Sequence, residues 1–147
     1  MDLRRRLCEE EDVAWAKLCE LLDRLSPEEL EDPTLAPEGW SPKDLMFHVG
    51  GWLADCGRQL ERMRAGTFVD PQDDTEAVNA EWFELSKTLD LDTVRAEFVS
   101  ARTRMLHEFG ELPEVSAVAQ EWFEESGAIH YHKHIEDLER WMSTRGR

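Results

Sequence analysis

Residues 127–141, GAIHYHKHIEDLERW, set His130 and His134 four positions apart among apolar residues. On an α-helix, positions i and i+4 differ by about 40° in direction and about 6 Å in rise, so both imidazoles point the same way and can reach one centre. Tyr131, Ile135, Leu138, Trp141 and Met142 fall on that same side, which puts the two histidines in or beside a core stripe. His132 points almost the opposite way. The rest of the chain reads as the frame that holds this helix.

Immediately upstream, residues 111–126 carry Pro113 and mixed polarity, which predicts a connection with a short turn of helix near Ala117–Trp122 and Ser126 as cap of the closing helix. Before it, Asp92 is expected to cap a helix running through Phe109, with the stripe Leu91, Val94, Phe98, Met105, Leu106 and Phe109, and Gly110 is expected to end it. His107 lies off that stripe, on the solvent side. Residues 76–88 read as a shorter helix with Asp74 or Thr75 as cap. The acidic stretch before it, Thr67–Asp74, is either a plain connection or part of a pocket mouth.

The signal at Ser41-Pro42-Lys43-Asp44 is strong: Ser caps, Pro fits the first turn, and the carboxylate three positions on favours a helix N-terminus. The helix so opened runs to about residue 65, with Leu45, His48, Val49, Trp52, Cys56, Leu60 and Met63 as its buried stripe. Ser26-Pro27-Glu28-Glu29 opens a shorter one that Asp32-Pro33 stops. The first helix spans about residues 2–25, with Leu3, Leu7, Ala14, Leu18, Leu21, Leu22 and Leu25 inside one band. Glu11 falls in the same band, either as a catalytic or metal-side carboxylate or as a rim group paired with an arginine such as Arg4. No strand-like alternation or repeat occurs, so the expected fold is all-α: a four-helix bundle with one or two extra short helices, forming a single domain over residues 1–147.

Composition narrows the function classes. A chain of 147 residues with six Trp and six Phe can bury a proper core. A formal net charge of −16 opposes binding to nucleic-acid backbones, which draws on Lys and Arg to neutralise phosphates, and disfavours anionic membranes. No stretch approaches the ~20 apolar residues of a spanning helix. The N-terminus lacks the apolar core and cleavage site of a signal peptide, which predicts a cytoplasmic protein. Cys8, Cys19 and Cys56, odd in number and scattered through helices, suit free thiols in a reducing compartment.

His48 on one long helix and His130 with His134 on another make a three-imidazole set that a bundle can bring together. Neutral imidazole ligates zinc, nickel, iron and copper, and three ligands leave a coordination position open. The other reading is three histidines satisfied by backbone or by acids such as Glu11. Trp52, Tyr131 and Trp141 stand near them in sequence as pocket walls or as plain core.

Gly39-Trp40-Ser41-Pro42-Lys43-Asp44-Leu45, followed by His48 and Gly51-Trp52, resembles the G-W-[ST]-x-x-[DE]-[LV]-x-x-H-x-x-x-W signature of the DinB-like four-helix-bundle superfamily. Its relatives include mycothiol-dependent maleylpyruvate isomerases and bacillithiol-type S-transferases. The segment His130-Tyr131-His132-Lys133-His134 is similar to the H-Y-x-x-H segment of the same group. The resemblance implies a divalent metal, nickel or zinc, held by His48, His130 and His134. In enzymatic members a low-molecular-weight thiol is thought to bind the metal as thiolate and attack an electrophile. It also implies a homodimer. The short stretch after the closing helix leads us to expect no additional C-terminal domain of the kind some maleylpyruvate isomerases carry, and no arginine set clearly belongs to a thiol pocket; Arg58 and Arg62 follow the motif but also suit a solvated helix face.

Two functions of different class follow. One is a metal-dependent thiol S-transferase or hydrolase that activates a thiol or water. The other is a non-catalytic metal-binding or stress-related interaction protein that dimerises through the bundle.

Overall fold

The computed structural model describes residues 2–146. Four long helices, α1 (Leu3–Asp23), α3 (Pro42–Ala65), α5 (Leu91–Glu111) and α7 (Ala128–Thr144), are joined by three shorter ones, α2 (Pro27–Leu30), α4 (Thr75–Ser86) and α6 (Ala117–Ser126). Among the described residues the only β feature is an isolated bridge, Ala36 to Trp40, that pinches the loop before α3. The fold is therefore the all-α bundle that the sequence predicts.

The two serine caps form as complete boxes. Ser41 Oγ accepts from the Asp44 amide at 3.2 Å while Asp44 Oδ2 accepts from the Ser41 amide at 2.9 Å, and Ser26 with Glu29 does the same for α2. Each box satisfies two amides that a helix end leaves without partners.

α3 packs chiefly along α5, and α1 along α7. Between these pairs lies one continuous apolar cluster that includes Leu7, Leu18, Leu53, Leu60, Met105, Phe109, Phe123 and Leu138. Phe109 and Phe123 stack at 3.8 Å between ring centroids, fastening α6 to α5.

Several helix ends differ from expectation. α5 is capped by Asp90, whose carboxylate accepts from the Thr93 amide at 2.8 Å. Lys43 donates to the Leu89 carbonyl at 2.8 Å and so fixes the chain where it turns into the helix, leaving Asp92 in the first turn. Gly110 does not end α5. Leu112 does, because Pro113 forces the residue before it out of helical geometry, and Leu112 is extended at φ −64°, ψ 130°.

The stretch 117–126 is a full helix of 10 residues, and Ser126 is its last residue instead of a cap for α7. Gly127 joins the two helices at φ −99°, ψ −111°. A Cβ there would stand 2.7 Å from the Phe123 carbonyl oxygen, so only glycine fits the joint.

Candidate metal centre

His48 lies two turns into α3, and His130 and His134 lie in the first two turns of α7. The Ser41 box opens α3 and the Gly127 joint opens α7, and the three rings meet between these two helices. His130 Nε2 is 3.0 Å from His48 Nε2 and 3.0 Å from His134 Nε2. One ligand atom from each ring lies within 4.8 Å of the others, so the three form a group that can hold a metal ion. Trp40 meets the His48 ring edge-on at 5.6 Å between centroids.

The protons around these rings are too few for the contacts they make. His134 Nδ1 is 3.1 Å from Asp137 Oδ2, and a carboxylate only accepts, so that nitrogen carries the ring proton and Nε2 is bare. The Ser126 carbonyl accepts from the His130 ring. With that proton directed outward, His130 Nε2 is also bare, and two lone pairs face each other at 3.0 Å. His48, His130 and His134 would turn this repulsion into ligation if they held a cation between them. Two of the three nitrogen pairs stand at 3.0 Å, near enough for one ion to take a lone pair from each ring.

Electrostatics favour the same state. Burial, followed by repulsion from His134, His48 and Lys133, pushes His130 down to about 2. Burial, then His48 and Lys133, brings His134 to about 3, and burial with Lys133 brings His48 to about 4. All three rings are therefore neutral at pH 7, the form that ligates metals.

A cavity of about 950 Å³ opens beside His48 and His134, walled by Trp40, Phe83 and Trp141, with Lys133 and Arg140 as its cations. Trp141 Nε1 donates to Thr34 Oγ1 at 3.2 Å, holding the loop before α3 against α7. A second cavity of about 550 Å³ reaches His130 from the other side, between Trp52, Phe68 and Trp122. The Thr67–Asp74 connection contributes Phe68 and Asp70 to it. Arg58 and Arg62 line neither: Arg58 pairs with Asp55 at 3.2 Å and Arg62 bonds Gln59.

Tyr131 points away from both cavities. Fully buried, its hydroxyl donates to Glu11 Oε2 at 2.8 Å. Glu11 is not a rim group and does not pair with Arg4. It is wholly buried, and Arg102 grips it from α5 through two bonds of 3.0 and 2.7 Å. Arg4 instead donates to the carbonyls of Phe109 and Leu112, closing the C-terminal end of α5. Its long side chain reaches acceptors that α5 leaves open, whereas Glu11 faces inward two turns further along α1.

Sequence reasoning did not find Asp137, Lys133, Arg140 or Asn79 beside the histidines. Asp137 follows His134 three positions on, and Arg140 follows Lys133 seven positions on, so helical spacing carried a signal for these. Asn79 had none, since it comes from a different helix.

No curated protein and no solved structure matches this chain. The family described as mycothiol maleylpyruvate isomerase N-terminal domain matches residues 12–127, a span that contains α3 and His48 and stops just before α7. With well over half of its length matched and the helical bundle in place, this chain belongs to that family, within the DinB-like superfamily.

Proposed function

We propose that the protein is a metal-dependent thiol S-transferase or hydrolase. The observation that supports this most directly is the convergence of His48, His130 and His134, with His48 and His134 on the wall of a cavity of about 950 Å³. A divalent metal held there would lower the pKa of a thiol or water and so supply a nucleophile at neutral pH without a separate base. The chain's own contribution is to hold and shape. The three rings stay neutral and aimed inward, Asp137 fixes the orientation of His134, and Trp40, Phe83 and Trp141 offer an apolar surface to an electrophile. Lys133 and Arg140 bring positive charge to the same wall.

In this reading the metal is nickel or zinc, the co-substrate is a low-molecular-weight thiol, and the protein is a cytoplasmic homodimer of single-domain chains. The donor set suits several ions, and availability selects among them. Three unpaired cysteines agree with a reducing compartment. The homodimer rests on the family resemblance, and a monomer by light scattering would overturn it.

Metal content by plasma mass spectrometry tests the centre. Untagged protein is expected to carry about one equivalent, lost in His48→Ala and His134→Ala and kept in His132→Ala, whose side chain is exposed. Incubation with a thiol panel and a chlorinated or epoxide electrophile tests the chemistry, with metal-dependent conjugate expected. Metal bound without turnover across a broad panel would favour a non-catalytic, interaction role.

A further inference from the structure

Two of the three histidines have a partner on the side away from the centre: Asp137 for His134 and the Ser126 carbonyl for His130. His48 Nδ1 is buried and makes no full hydrogen bond, though the Asn79 side chain stands near enough to oppose the fall of the ring's pKa. A buried polar nitrogen without a full partner is costly, so the group meant to satisfy it should stand close by.

The side chain placed for this is Asn79 on α4. Its Oδ1 accepts from Trp52 Nε1 at 2.8 Å, and it lines the same cavity as His48. An indole nitrogen only donates, so the atom of Asn79 that faces Trp52 must be the oxygen. That oxygen has a second lone pair. Trp52 lies one turn beyond His48 on α3, so an amide anchored on Trp52 is held at the level of His48.

α4 is fixed firmly enough to place this amide. Asp44, fully buried, accepts from Ser86 Oγ and Lys87 Nζ at the C-terminal end of α4. In the middle, Trp82 lies flat on Gly51, where a Cβ would come within 2.6 Å of the ring.

We propose that Asn79 is the positioning residue of His48: its carbonyl accepts the Nδ1 proton, fixes that tautomer and turns a bare Nε2 toward the metal centre. Each of the three rings then has one outward acceptor, supplied by a carboxylate, a backbone carbonyl and an amide in turn. The consequence for metal binding rests on the three-histidine reading; the tautomer does not. Partners of this kind are worth about 10–100-fold in metal affinity.

The test uses the full chain stripped of metal, with long-range proton–nitrogen correlation spectra of the imidazoles at neutral pH. His48 in the wild type is expected as the Nδ1–H form. Asn79→Ala should shift it toward Nε2–H, while Asn79→Asp, which keeps an acceptor, should retain Nδ1–H. Chelator competition should then show zinc held about 10–100-fold more weakly by Asn79→Ala than by the wild type, and at least as well by Asn79→Asp. A wild-type His48 carrying its proton on Nε2 would overturn the proposal, as would an alanine variant with unchanged tautomer and affinity. If the wild type binds no metal, the three-histidine reading fails by itself, and the tautomer still decides the role of Asn79. If the alanine variant fails to fold, the wild-type tautomer alone decides.

Discussion

Three imidazoles crowded against one another can coexist only while neutral, which gives the metal-free protein a distinctive acid sensitivity. Unfolded, each ring takes up a proton near pH 6.5; folded, His48 does so at about 4, and His134 and His130 at about 3 and 2. The unfolded chain therefore binds more protons below pH 6.5, so the stability these rings allow is complete above that pH and is lost as pH falls toward 4 and below. Urea titrations of chelator-treated protein should show stability falling between pH 7 and 5, before most carboxylates titrate. A flat profile would contradict the burial of these rings. At this scale the sequence was partly legible. Spacing four apart placed His130 and His134 on one helix face, and the motif after Gly39 picked out His48. The partner of Glu11 was not legible, because Arg102 lies 91 positions away and nothing local marks the pair.

The orientation of α7 about its own axis decides whether its two histidines face α3 or solvent, and one buried network sets it. Tyr131, next to His130, bonds Glu11 on α1, which Arg102 on α5 clamps in turn. Trp15 covers the network, with its ring 5.0 Å from the Arg102 guanidinium and 5.5 Å from Tyr131. Tyr131→Phe removes one hydrogen bond to a charged group and should lower stability by about 1.5–3 kcal/mol in urea unfolding. Glu11→Ala leaves a mostly buried guanidinium with only the exposed Asp12 and should cost more, about 3–5 kcal/mol. Equal stability in all three proteins would mean that the network contributes nothing. Element ends were legible where the whole cap lies within four residues of sequence: Ser26 with Glu29 and Ser41 with Asp44 form such boxes. They were misread at Asp92, Gly110 and Ser126, where a lysine from another helix, a following proline and a glycine joint decided the boundary. Such decisions are tertiary or depend on the neighbouring residue, and single-residue capping preference does not contain them.

Across the whole molecule, α3 with α5 and α1 with α7 form two pairs that share the core, and the three histidines are one place where the first pair meets the second, the Glu11–Arg102 contact between α1 and α5 being another. A metal bound there would join residues 82 positions apart in sequence and resist separation of the pairs. The unfolded chain offers no such converged set, so binding adds its free energy to folding. At a free metal concentration 100 times the dissociation constant the gain is about 2.7 kcal/mol. For a chain of this length each kcal/mol moves the melting temperature by roughly 2–4 °C, so a rise of about 5–10 °C is expected. Thermal unfolding of the chelator-treated wild type with and without zinc or nickel measures it, and His134→Ala should show no metal-dependent rise. A rise of the same size in that variant would place the ion elsewhere, on the acidic surface that a net charge of −16 provides. No rise in the wild type would mean that the two helix pairs are held together by apolar packing and the buried ion pair alone.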